Sequence, residues 1–163
     1  MKNINSNEKL FINIFLFLIV VVGIYFCFTG GYGSDEDTLP MIYVFEAKLH
    51  DGRFVSSRFT GNPVAELGIG FLSYFFGSWA ANLSTYLFLL LGLVAFYFSF
   101  EKLKFFKEIN IFLLLSLTSP ILFFDNLEPV DYSWAFFFFS LLFLFLSKNF
   151  FELAILFFAL SIG

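Results

Sequence analysis

The sequence predicts an all-α fold, a polytopic transmembrane helical bundle with interfacial helices in a long first outer loop. Three observations carry this. The chain is 60% hydrophobic and only 13% charged, with a mean hydropathy of +0.87, which leaves too little polar surface for a water-soluble domain. Its apolar residues fall into runs long enough to cross a bilayer. Its charges gather in the segments between those runs.

The first run, 10–28, follows Lys9 without a charge; at 1.5 Å per residue its roughly 19 residues match a hydrocarbon core of about 30 Å. No small-x-small cleavage site follows, and Phe26 is too large for a lipoprotein site before Cys27, so this run is read as an uncleaved helix. Further spans are expected over 80–100, 107–124 and 130–147. A last run, 150–163, is too short to cross, so the chain is expected to be the N-terminal part of a longer transmembrane domain, inactive on its own.

The outer loop, 29–79, is too long for a bare connector. Within it 37–50 reads as an interfacial helix, with Asp37 as cap, Pro40 in the first turn and Met41, Ile42, Phe45 and Leu49 on one stripe. The stretch 63–76 reads as a second, with Asn62 as cap, Pro63 first and Gly77-Ser78 at its end. If it crossed the membrane instead, the lysines of "EKLKFFKE" would move outside, against the positive-inside bias.

With a cytoplasmic N-terminus, Lys2, Lys9, Lys102, Lys104, Lys107 and Lys148 all lie inside. Nine of the thirteen acids then lie outside, in two clusters: Asp35-Glu36-Asp37 directly after the first span, and Asp125, Glu128 and Asp131 in "DNLEPVD", with Glu46, Asp51 and Glu66 between. The net charge of -4 gives no electrostatic footprint for nucleic acid. The one cysteine, Cys27, can form neither a disulfide nor a Cys-ligated zinc site within the chain and is lipid-facing or core filler. The 30 Phe do not locate a site.

This arrangement resembles the GT-C superfamily of integral-membrane glycosyltransferases, which includes protein O-mannosyltransferases and aminoarabinose transferases. The matching features are Asp35-Glu36 after the first span, "SRFTGNPVAEL" as an Arg-aromatic-x-Gly-x-Pro-x-x-Glu stretch, and "TSPILFFDNLEPVDYSWAFFFF" as a Pro-containing span end followed by an Asp opening the next span. The extra acids Asp37 and Glu128 depart from the pattern, leaving open which carboxylate of each cluster matches the family's functional acid. The resemblance implies transfer of a sugar from a polyprenyl-phosphate-linked donor to a glycan, lipid or protein hydroxyl at the outer face of the plasma membrane, with inversion.

Such chemistry needs a carboxylate to take the acceptor's proton, and Asp35 is the leading candidate, with Glu36 and Asp131 beside it as catalytic acids. Asp37 and Glu128 are candidates for binding substrate. Arg58, whose planar fork suits phosphate oxygens, is the first choice for the leaving phosphate, followed by Arg53 and Lys48. The paired acids suit a divalent cation as well as a metal-free base, so no metal ligand is assigned. Plainer roles compete: the "DED" acids as complement to a helix dipole, Arg58 snorkelling to headgroups, Asp131 as a helix cap, Glu66 as a first-turn acid, and His50 as a solvated turn residue. Asn82-Leu83-Ser84 reads as a glycosylation sequon but sits at a membrane edge. The alternatives from other classes are a transporter or channel subunit, which would place ionisable groups within the spans, and a non-catalytic polytopic protein. Here the span cores are almost free of charge.

Overall fold

The computed structural model describes residues 5–33, 38–57, 62–101 and 108–162. Of the chain, 82% is helical, with no strand among the described residues, so the class is all-α. Eight helices are described: α1 Ser6–Thr29, α2 Thr38–Asp51, α3 Pro63–Phe76, α4 Ser78–Phe100, α5 Ile109–Leu117, α6 Pro120–Phe124, α7 Tyr132–Ser147 and α8 Phe151–Ile162.

Two of these, α1 and α4, are long and apolar enough to cross a membrane. Only 11% of the apolar window of α1 is buried. Leu10, Phe11, Phe17 and Tyr25 stand exposed along it, whereas the core helix of a soluble domain would hide such side chains.

Local chemistry sets the boundaries. The backbone N–H of Asn5 donates to the Glu8 carboxylate at 2.9 Å, tying down the start of α1. Asn62 accepts from the N–H groups of Val64 and Ala65, and Pro63 costs α3 no hydrogen bond because its first N–H groups have no intrahelical partner anyway. Gly77, at φ 85°, makes the turn from α3 into α4, a backbone region that a side chain would resist.

The run 107–124 differs from expectation. Residues 109–124 form two helices rather than one, and Pro120 is the reason. Proline disfavours the helical region for the residue before it, and Ser119 is extended (φ -69°, ψ 118°), so α5 ends at Leu117 with Thr118 as its cap, and Pro120 opens α6.

The contacts fix how the helices run. Tyr86 on α4 packs over Gly23 of α1, and Asn82, one turn earlier on α4, reaches Cys27 and Gly31 beyond Gly23; the two helices are therefore antiparallel. At the other end α5 starts beside the start of α1, through Lys9 Nζ to Glu108 Oε1 at 2.6 Å and Asn110 Nδ2 donating to Asn13 Oδ1 at 2.7 Å. Helix α7 runs parallel to α4, with Phe88 stacked on Trp134 at 4.0 Å, Phe136 against Gly92 and Phe143 against Phe100. A tight turn with Asn149 at φ 63° returns the chain as α8, where Phe157 stacks on Phe145.

Because α4 starts where α1 ends, the intervening chain leaves and returns at one end of the bundle. Helices α2 and α3 together therefore make no net traverse of the bundle. They form a pair in which Phe45 lies on Gly70 and Phe71, and Met41, Ala65 and Ile69 join Ala81, Trp134 and Phe138 in one core. A second core gathers Cys27, Tyr86, Leu89, Leu93 and Leu117. Cys27 is thus core filler and does not face lipid.

Candidate functional site

Four connections meet at the end of the bundle where α1 stops and α4 and α7 begin. The chain leaves α1 through Gly31 and Gly33, both at positive φ. Asn82 Nδ2 holds this turn by donating to the Gly31 carbonyl at 2.6 Å, and the Tyr32 hydroxyl bonds Ser73 Oγ on α3 at 2.8 Å. The space that a Cβ would take at Gly33 is filled by the Glu128 carboxyl group. Asp35, Glu36 and Asp37 follow directly in sequence but lie outside the described residues, as does the expected cap at Asp37. The turn leading into the first acidic cluster therefore touches an acid of the second, 95 positions later in the chain.

The loop carrying that second cluster is braced from below. Asn126 donates to the Leu122 carbonyl at 2.8 Å and accepts from Ser133 Oγ, linking the end of α6 to the first turn of α7. Pro129 and Val130 are buried, and Asp131 is only 4% exposed. Asp131 stands at the N-cap of α7 but makes no side-chain capping bond there. Its carbonyl accepts from Ala135. Asp125 sits exposed at the loop's start.

A third carboxylate enters this end from α3. Glu66, on the first turn, is fully buried. It accepts from Ser57 Oγ at 2.5 Å and Ser57 N at 3.1 Å, and Ser56 Oγ reaches both of its oxygens at 3.3 Å. Two residues further along α3, the ring of Trp134 fills the Cβ space of Gly68. Trp134 lies in turn one helical turn from Asp131. Arg58, next after Ser57, lies outside the described residues.

The remaining candidates lie further off. Arg53 is exposed in the turn after α2. Lys48 is occupied at the end of α2, where Nζ donates to the Gly52 carbonyl at 2.9 Å. His50 is exposed, 4.0 Å from Glu46. Asn82 is buried within the helix pair, where no glycosylating enzyme could reach it. The groove lined by Asn7, Glu8, Phe11 and Ile12 opens at the opposite end of α1 and shares no residue with either acidic cluster.

Sequence reasoning missed two features. It read Glu66 as a plain first-turn acid, although the residue closes the Arg-aromatic-x-Gly-x-Pro-x-x-Glu stretch, and that position was the available signal. It also had no means to find the four buried polar atoms that, among the described residues, lack a hydrogen-bond partner: Thr38 Oγ1, Asn82 Oδ1, Tyr86 Oη and Trp134 Nε1. Thr38, Asn82 and Trp134 belong to the opening turns of α2, α4 and α7, whereas Tyr86 lies deeper in α4. Buried polar atoms are normally paired, and unpaired ones collect where a polar ligand or water completes them. Among the described residues no group of three or more His, Cys, Asp or Glu side chains comes together as a metal site would require.

No family model, no curated protein and no solved structure matches the chain.

Proposed function

We propose that the chain carries the donor-side catalytic end of an integral-membrane glycosyltransferase that moves a sugar from a polyprenyl-phosphate donor to an acceptor hydroxyl. The observation that carries the reading is the Glu128 carboxyl group seated against Gly33. It supports one polar site at one end of an otherwise apolar bundle, built from both acidic segments. In this reading the chain threads the plasma membrane as a polytopic bundle, α1, α4, α5 with α6, α7 and α8 forming the successive crossings. The N-terminus is cytoplasmic and the acid end faces outward. Helices α2 and α3 lie at the outer interface, where a lipid-borne donor meets a water-borne or lipid-borne acceptor.

The reaction is a single displacement. The acceptor oxygen attacks the anomeric carbon as its proton passes to a carboxylate, the bond from that carbon to the phosphate oxygen breaks, and lipid phosphate leaves with the electron pair. Asp35 is assigned as general base, and Glu36 and Asp131 as the acids that orient the acceptor and offset positive charge at the anomeric centre. Asp37 and Glu128 hold sugar hydroxyls. Arg58 takes the phosphate, with exposed Arg53 at the rim. If a divalent cation takes part, the carboxylates of the acidic segments would hold it and it would supply positive charge for the leaving phosphate.

The test is sugar transfer from polyprenyl-phosphate donors by the full-length protein in lipid vesicles. Asp35→Asn keeps size and hydrogen-bonding capacity but cannot take a proton, so turnover is expected to fall by about two to four orders of magnitude with donor binding retained. If Asp35→Asn, Glu36→Gln and Asp37→Asn all give small, equal losses, the three acids serve only helix electrostatics and the assignment fails.

A further inference from the structure

The apolar stripe that the sequence marks on α2 is used for packing. Met41 is fully buried in the core shared with α3 and α7, and Phe45 lies on Gly70 and Phe71 of α3. Near its end α2 leaves Lys48, Leu49, His50 and Asp51 exposed, a surface suited to water. Helix α3 is arranged the other way round. Its inward face, Glu66, Ile69, Gly70 and Ser73, is buried and holds the helix's only charged residue. Outside, Phe71, Tyr74, Phe75 and Phe76 are 43–56% exposed.

These rings do not stand singly. Phe71 packs on Phe75 at 4.9 Å, Tyr74 on Phe75 at 5.1 Å and Phe45 on Phe71 at 5.3 Å, so they are held against one another while about half of each faces outward. Scattered exposed rings need no explanation, but a contiguous apolar patch marks a surface that meets something other than water. The band runs on through the Gly77 turn to Trp79, which stacks on Phe28 at 5.4 Å where α4 starts and α1 ends, and both of these rings are exposed as well. It is therefore continuous with the exposed apolar sides of the two helices long enough to cross a membrane. Tryptophan and tyrosine gather where headgroups meet acyl chains.

We propose that the ring cluster of α3 is a membrane-docking surface, seated about 5–10 Å into the outer leaflet beside the outer ends of α1 and α4, with the charged end of α2 turned to water. Its partner is the phospholipid of the bilayer. The proposal rests on the reading of α1 and α4 as spans, and it goes further by assigning the lipid-facing side of the α2–α3 pair to α3. Because Ser73 on the inward face of α3 bonds the Tyr32 hydroxyl, the turn leaving α1 is tied to an element anchored in lipid.

Nitroxide labels on single cysteines in a Cys27→Ala background, with the full chain in phospholipid nanodiscs, test this through two collision partners. Oxygen concentrates among acyl chains, and a charged nickel chelate stays in water. The ratio of oxygen to nickel accessibility is expected to be about tenfold higher at Phe75→Cys than at Leu49→Cys, and highest at Leu18→Cys in the middle of α1. Tyr74→Cys repeats the measurement should Phe75→Cys not fold. Nickel access at Phe75 and Tyr74 equal to that at Leu49 would place the rings in water and overturn the proposal. Low access to both reagents there would mean that protein covers the rings, and would overturn it too. An oxygen preference at Leu49 equal to that at Phe75 would remove the assigned orientation. If Leu18→Cys is open to nickel, α1 does not cross the bilayer, and the membrane reading fails together with the proposal.

Discussion

The two ends of the helical bundle are built from different interactions. At the end where α1 begins, α1 and α5 are joined by the Lys9–Glu108 ion pair and the Asn13–Asn110 bond, both in contact with solvent. At the acid end the connections are buried. Asn82 holds the Gly31 turn, Asn126 ties α6 to α7, Glu66 clamps Ser56 and Ser57, and Asn62 joins the start of α3 to the end of α8. Solvent-exposed pairs contribute little and tolerate movement, whereas a buried network costs desolvation and pins every member in place. A bundle held together by apolar packing needs no such network for stability. Among the described residues its concentration at one end indicates that geometry there is worth holding.

The difference between the ends can be tested by substitution. The largest effect is expected for Asn82→Ala, which strips the Gly31 and Cys27 carbonyls of their side-chain donor and leaves a void between α1 and α4. A loss of about 2–4 kcal/mol would appear as a markedly lower midpoint of thermal unfolding in detergent micelles. An effect below about 1 kcal/mol would show that the acid end is no more tightly built than the other.

Gly33→Ala comes next. Its φ of 76° is strained for any residue with a Cβ, and that atom would meet the Glu128 carboxyl group. A loss of about 1–3 kcal/mol is expected. Glu128→Ala in the same chain should relieve part of it, so a double-mutant cycle reads the contact directly. Additive losses would show that the two loops do not touch.

Tyr86→Phe should have the opposite sign. The ring is fully buried over Gly23, but its hydroxyl has no partner. Removing that hydroxyl while keeping the ring should be neutral or stabilise by up to about 1–2 kcal/mol. Clear destabilisation would mean that the hydroxyl is satisfied. The smallest effect belongs to Lys9→Ala at the other end, about 0–1 kcal/mol and reduced further by salt, because the pair is half exposed on the lysine side.

How much of this was legible depended on whether the cause was local. The limits of α3 follow from Asn62, Pro63 and Gly77, whose preferences act over one turn. The end of α1 likewise falls at Gly30. The division at Ser119-Pro120 has an equally local cause but was hidden by the strong apolar run on both sides, which reads as one span if hydropathy is averaged. The contact of Glu128 with Gly33 and the reach of Glu66 back to Ser57 depend on how distant segments pack, and nothing in either residue's own neighbourhood announces them. That the two acidic segments would share one end was deduced from the distribution of lysines, a long-range rule that needs no packing detail.

The central claim is that the two acidic segments lie on one side of the membrane, with the lysine-rich segment 102–107 on the other. Single cysteines at Ser34, Asp125 and Phe105 in a Cys27→Ala background, labelled in sealed vesicles of known orientation with a membrane-impermeant maleimide, test it most directly. Asp125 is exposed, so a cysteine there should react without disturbing the core. The account predicts that Ser34→Cys and Asp125→Cys label from the same side, and Phe105→Cys only from the opposite one. Labelling of Ser34→Cys and Asp125→Cys from opposite sides would contradict it.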